Sequence, residues 1–200
     1  MNKIKRLVKK FVLSNEATRY FYGKVQSRKH KHLLEMSYEQ YLDEAFQDVF
    51  MDNNNIMCVY PSDAKANMYI DQTAYSDILN FIWLDAVAKA NVIIDMGANY
   101  GQFILHPLTA SSASHKDLIL AFEPNPKIVR ALSSSLEKSG LSNSVTLMQN
   151  GVSDTSGEFD FHINLHSSGG SSIYEEDAYN PREGIYQKKV TIKTVTLDGV

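Results

Sequence analysis

The stretch Val92-Ile93-Ile94-Asp95-Met96-Gly97-Ala98-Asn99-Tyr100-Gly101 decides the fold. Its opening β-branched run suits a strand covered on both faces, as in a parallel sheet. An acid follows, and the chain then turns through two glycines, which permit positive φ and close approach of a ligand to the backbone. Residues 102–105 start a helix that Pro107 breaks, and the first N–H groups of a helix attract a carboxylate or phosphate.

Reading forward, residues 118–122 form a second buried strand and 126–139 a helix with Ile128, Val129, Leu132 and Leu136 apolar. Gly140 stands where a helix C-cap glycine belongs, and 145–148 make a third strand. Strand, helix, strand, helix, strand at this spacing predicts an α/β fold, the first half of a Rossmann-like, doubly wound sheet. Beyond it, 158–165 alternates, with Phe159, Phe161, Ile163 and Leu165 on one face, and 190–197 alternates as its strand partner. Between them Ser167-Ser168-Gly169-Gly170-Ser171-Ser172 is a soft loop, either a substrate lid or a solvated connector. Residues 174–189 are polar and irregular.

Reading backward, 76–89 is a helix capped by Ser76 or Asp77, with Ile78, Ile82, Leu84, Ala86 and Val87 toward the core. Residues 68–70 and 56–60 are short strands, the latter ended by Pro61. The run Asp52-Asn53-Asn54-Asn55 stops a helical spacing that covers 33–51. Residues 33–90 thus form a helical and short-strand extension, and 1–32 a separate arm.

The arm holds ten Lys or Arg against Glu16 alone, a charge of +9. The chain's net charge is −3, so the other 168 residues carry −12. Ile4, Leu7, Val8, Phe11 and Val12 fall at helical spacing among Lys5, Arg6, Lys9 and Lys10, a basic amphipathic helix. Such an arm can dock on the body, or meet an anionic membrane surface or an acidic partner. Nucleic acid is also attracted by basic charge, yet no nucleic-acid partner is expected on this acidic body. At 44% hydrophobic and 22% charged residues, the composition is that of a globular chain and excludes disorder. A single cysteine, Cys58, excludes an internal disulfide and a Cys-built zinc site, and points to the cytoplasm. The most apolar stretch, 78–88, contains Asn80 and Asp85 and is too short to span a membrane. Only residues 11–13 follow the basic start as apolar positions, so no secretory leader is expected.

Glu123 closes the second strand, 22 residues past Gly101. In nucleoside-binding sheets of this type an acid there bonds the ribose hydroxyls. The dinucleotide fingerprint G-x-G-x-x-G is absent, because its positions read Gly97-Ala98-Asn99-Tyr100-Gly101-Gln102. No G-x-x-x-x-G-K-[ST] loop is present either. Asp95 at the strand end suits a ligand with positive charge, and S-adenosylmethionine carries one on its ammonium and one on its sulfonium. His162 and His166 lie four apart on one face of a predicted strand without a third ligand, so they read as solvent-facing and no metal is expected. His106 and His115 read as helix-end or loop residues. Asp154 is either a turn residue or an adenine contact, and Tyr100 either faces the ligand or packs on the sheet.

The motifs Asp95-Met96-Gly97-Ala98-Asn99-Tyr100-Gly101, Phe122-Glu123-Pro124-Asn125-Pro126, Gly151-Val152-Ser153-Asp154 with Gly157, and Val195-Thr196-Leu197-Asp198 occur in that order. Together they resemble the FkbM family of S-adenosylmethionine-dependent methyltransferases over residues 91–200. The resemblance implies that Asp95, Gly97, Asn99 and Gly101 hold the methionine end of the cofactor, that Glu123 takes the ribose with Asn125 beside it, and that Asn150, Gly151 and Val152 flank adenine. Ala98, Tyr100 and Pro124 lie within the same motifs and complete the expected cofactor-binding set. The implied reaction is O-methylation of a hydroxyl on a sugar or other small metabolite. In the family, Leu-Asp is followed by a further strand and acidic motif. The chain is therefore expected to be a C-terminally incomplete domain, with any general base beyond Val200. The alternative is a non-catalytic nucleoside-binding adapter anchored by its basic arm.

Overall fold

The computed structural model describes residues 38–71, 77–174 and 187–200. The expected arm helix, the Ser76 cap and most of the 174–189 stretch lie outside them. In chain order the elements are α1 (Tyr38–Leu42), β1 (Gln47–Phe50), β2 (Ile56–Val59), α2 (Ala64–Ile70), α3 (Asp77–Lys89), β3 (Val92–Met96), α4 (Gln102–Leu105), α5 (Ala110–Ala113), β4 (Leu118–Phe122), α6 (Pro126–Lys138), β5 (Thr146–Met148), β6 (Gly151–Val152), β7 (Gly157–Asn164) and β8 (Gln187–Val195). Short 3-10 turns cover Ser168–Gly170 and Leu197–Gly199, so the last strand stops before Leu197.

The fold is mixed α/β, and its centre is a parallel sheet in the order β3-β4-β5, with Met96 opposite Phe122 and Phe122 opposite Met148. Helix α6 follows β4 because Asn125 caps it, its side chain accepting from the Lys127 N–H, while Pro126 supplies the φ of the first turn. Its inner face (Ile128, Ala131, Leu132, Leu136) is buried with Ile93, Ile104 and Leu105 in one core. Gly140 takes φ +70 at the expected helix end. A second sheet, β6-β8-β7, pairs β7 antiparallel to β8 from Gly157 opposite Thr194 to Asn164 opposite Gln187. Phe161, Ile163, Leu165 and Ile192 form its own core with Tyr41 of α1.

Several expectations change. Strand β3 is not covered on both faces: Ile93 and Asp95 are buried, whereas Val92, Ile94 and Met96 are 39–56% exposed. Among the described residues no strand flanks β3 on its other edge. Among the described side chains of α3, those of 82–89, Val87 is buried and Trp83 half-buried while Ile82, Leu84 and Ala86 are exposed; Ile78's side chain lies outside the described set. His162 is buried rather than solvent-facing, through its place in β7.

The upstream segment differs most. Of the helical stretch expected over 33–51, residues 33–37 lie outside the described residues and the described helix ends at Leu42; residues 47–50 are instead a strand, paired to β2 from Gln47 opposite Val59 to Phe50 opposite Ile56. Phe46, Val49 and Phe50 have the i, i+3, i+4 spacing of a helix, and pairing with β2 overrides it: Phe46 and Val49 pack on the core while Phe50 is exposed. Residues 68–70 are the end of helix α2, not a strand, because Asp63 caps that helix by accepting from the Lys65 N–H. The hairpin of this region is β1-β2. Its connection places Asn54 at φ +67, and the neighbouring asparagines reach across the fold. Asn53 Nδ2 donates to the carbonyls of Leu105 and His106 at 2.8 and 2.9 Å, and Asn55 Nδ2 to those of Leu105 and Leu108 at 2.6 Å each. These bonds satisfy the C-terminal carbonyls of the helix that Pro107 interrupts. The division expected at residue 90 is therefore crossed by the core itself, in which Met57, Val59, Tyr60 and Tyr69 pack with Ile93, Ile104 and Leu132.

Gly97 and Gly101 both sit at positive φ, +77 and +79, but in different surroundings. A Cβ at Gly97 would meet nothing within 4 Å, whereas one at Gly101 would lie 2.4 Å from Leu132 Cδ1 in the core. Gly97→Ala is expected to cost about 1–2 kcal/mol from backbone strain alone. Gly101→Ala adds overpacking and should cost about 2–4 kcal/mol. Thermal melts of the two variants check this, and equal losses would contradict it.

Candidate functional site

The carboxyl ends of the three parallel strands converge on the motif residues. Asp95 lies in β3 opposite Ala121, Glu123 follows β4, and Asn150 follows β5. Ligands of open α/β sheets bind outside this edge. The glycine turn is folded onto the next strand by two bonds to one acceptor: the N–H groups of Gly97 and Ala98 both donate to the Phe122 carbonyl at 2.9 Å. Asn99, at φ +50, then directs its own N–H to Glu123 Oε2 at 2.9 Å. The Asn125 N–H donates to Glu123 Oε1, also at 2.9 Å. One carboxylate thus ties the β3 turn to the start of α6.

Both acids are buried, Asp95 to 8% and Glu123 to 5% exposure. Burial pushes the Asp95 carboxyl up from 3.8 to about 6. Burial also raises Glu123, from 4.5 to about 7; its two backbone donors oppose the rise and the nearby Asp95 charge adds to it. The hydrogen bonding of the pair is unequal. Asp95 Oδ2 is buried with no hydrogen-bond partner among the described residues, next in sequence to a turn with open space at Gly97. Buried polar atoms are nearly always paired, so an orphaned carboxylate oxygen marks a place for a donor.

The remaining expected residues divide. Ala98 is buried and held by its backbone. Tyr100 packs inside rather than facing a ligand: it is fully buried, stacks edge-on against Tyr69, and its hydroxyl donates to Asp63 Oδ2 at 2.7 Å. Burial and the Asp63 charge drive its phenol far above the usual tyrosine value. Asn125 is a helix cap whose amide also donates to the Tyr41 hydroxyl. Pro124 is half-buried between Glu123 and that cap. Asn150 is half-buried, and Gly151-Val152 pairs with Thr194-Val195, leaving the segment at the sheet edge near Glu123, whose N–H donates to Met148 O. Asp154 is an exposed turn residue that accepts from the hydroxyls of Ser153 and Thr155.

Two features escaped the sequence reading. The 167–172 loop is neither a free lid nor a solvated connector. Ser168 is 7% exposed, its N–H donates to Asp63 Oδ1 at 3.1 Å, and its hydroxyl accepts from Asn99 Nδ2 at 3.0 Å. Lys127, in the first turn of α6, is buried against Glu44 with its ammonium 4.0 and 4.4 Å from the Tyr41 and Tyr60 ring centres. Burial lowers its pKa, while Glu44 holds it up. A cavity of about 10 Å³ lined by Asp63, Tyr100, Lys127 and Ser168 has room for no more than a water. Among the described residues no group of three His, Cys, Asp or Glu is placed to hold a metal ion. No described helix is long and apolar enough to cross a membrane. Comparison with protein families, curated proteins and solved structures yields no match to this chain.

Because Asp95 and Glu123 titrate higher in the folded chain, the folded state binds more protons than the unfolded one between their ordinary and raised values. Their contribution is fullest below about pH 4 and is lost as pH rises through about 6 and then 7. A shift of the size seen at Glu123 corresponds to about 3 kcal/mol. Urea unfolding across this window should show wild-type stability falling with pH more steeply than in Glu123→Gln. Parallel curves would contradict the assignment.

Proposed function

We propose that this chain binds S-adenosylmethionine at the carboxyl ends of β3, β4 and β5, in a Rossmann-like sheet of the FkbM methyltransferase type, and serves O-methylation of a hydroxyl on a sugar or other small metabolite. The observation that carries the reading is Asp95, an acid buried with one oxygen unpartnered among the described residues, beside a glycine turn with open space at Gly97. An ammonium group would supply the missing donor and draw the carboxyl back to its charged form. Each Glu123 oxygen already accepts one backbone N–H and keeps a second lone pair, which suits two vicinal ribose hydroxyls. When bound, the cofactor supplies a methyl group on a cationic sulfur. The part of these residues is to hold that group in line with an acceptor, where positioning does much of the catalysis.

Calorimetric titration with S-adenosylhomocysteine, with NAD as comparator, tests the proposal. The homocysteine compound should bind and NAD should not. Asp95→Asn should weaken binding by about 10-fold or more, the loss of one charge-assisted bond. Wild-type affinity should rise with pH through about 7, because the ionised Glu123 is the better ribose acceptor. Unchanged affinity in Asp95→Asn would remove the methionine-end assignment. If neither compound bound, while anionic vesicles pelleted the chain only with residues 1–32 present, the adapter reading would replace this one.

A further inference from the structure

The motif that suggests a ligand lies wholly within residues 91–200, yet the group that fixes its shape lies outside it. Asp63 is 7% exposed and its two carboxylate oxygens face different parts of the site. Oδ2 accepts from the Tyr100 hydroxyl at 2.7 Å, inside the glycine turn. Oδ1 accepts from the N–H groups of Lys65 and Ser168 at 2.9 and 3.1 Å. The loop is tied to the same helix start a second time, where the Ala64 N–H donates to the His166 carbonyl at 2.8 Å. Ser168 then passes the constraint on, since its hydroxyl accepts from Asn99 Nδ2. Asn99 is the residue whose backbone N–H also holds Glu123 Oε2. A continuous polar chain therefore runs from Asp63 through Ser168 and Asn99 to the buried acid that closes β4. Asn99 lies at positive φ, a backbone state that needs its surroundings to hold it.

We infer that Asp63 is a positioning residue for the ligand site: it clamps the glycine turn through Tyr100 and the 167–172 loop through Ser168, and so sets the orientation in which Asn99 meets a bound adenosyl ligand. The inference takes its ligand from the methyl-donor reading, while the clamp itself rests on geometry alone. A helix cap would need only the Oδ1 bond to Lys65. The second oxygen and the loop amide have no part in capping α2.

Two variants separate the clamp from a cap. Asp63→Asn keeps an acceptor for Lys65 and Ser168 but turns an amide toward the Tyr100 hydroxyl. Ser168→Ala removes only the hydroxyl that holds Asn99 and leaves the cap whole. S-adenosylhomocysteine titration should show affinity reduced about 10-fold in Asp63→Asn and about 5-fold in Ser168→Ala. The double variant should be no worse than about 20-fold, because coupled positions acting through one residue do not add. In the ligand-free proteins the Asn99 amide signals in a nitrogen–proton NMR spectrum should move in both variants, while Leu141, just past the far end of α6, stays in place. Affinities within about twofold of wild type, with Asn99 unmoved and only the melting temperature lowered, would reduce Asp63 to a helix cap. Should wild type fail to bind while the Asn99 signals still move, the clamp stands and the methyl-donor reading falls.

Discussion

The Phe122 carbonyl accepts the amide protons of both Gly97 and Ala98, and the arrangement of the site follows from that pair of bonds. They are possible because β3 and β4 run parallel with Met96 opposite Phe122, and because Gly97 turns back at φ +77. Once the turn lies across the end of β4, Asn99 reaches Glu123, and Glu123 in turn reaches the amide of Asn125 at the start of α6. Close packing completes the turn: Gly101 leaves no room for a side chain against Leu132 of that helix.

The price of this construction is two acids buried at adjacent strand ends. Glu123 is offset by two backbone donors, whereas Asp95 keeps an oxygen without one among the described residues. Burying a charged or polar group without partners is costly, and here the cost takes the form of raised pKa values. Local departures of this sort concentrate at functional sites, which gives the unpaired Asp95 oxygen more weight than the glycine spacing beside it. The open face of β3, where Val92, Ile94 and Met96 stand exposed, is a separate property of the same strand.

The described residues before 91 share one core with the sheet that follows them. Asn53 and Asn55 complete the carbonyls of a helix some fifty residues away, the Ser135 hydroxyl of α6 accepts from the Cys58 N–H of β2, the Ser139 hydroxyl at the end of that helix accepts from the Ile56 N–H and donates to the Ile56 carbonyl, and Asp63 joins two loops of the site. Lys138 of the same helix pairs with Asp48 of β1 at 2.7 Å. Each of these polar side chains is met in sequence as a turn former, a helix-surface residue or a charge. Only its partner gives it another role.

Local patterns determined much of this protein: the strand-turn-helix around Gly97, the buried strand ending at Phe122, helix α6 between its Asn125 cap and Gly140, and the alternating strands β7 and β8. These depend on near neighbours, on apolar periodicity, caps and φ, which a sequence displays directly. Tertiary contacts decided the rest. Residues 47–50 belong to a helical spacing, and pairing with β2 made them a strand. Residues 68–70 followed the cap at Asp63 into a helix. Tyr100 turned inward because Asp63 waits there with an acceptor, and the Ser-Gly loop closed on Asn99 because the same carboxylate holds its backbone. A hydrogen bond between residues 63 and 168 leaves no mark on either stretch of sequence, because each side chain is ordinary until folding supplies its partner.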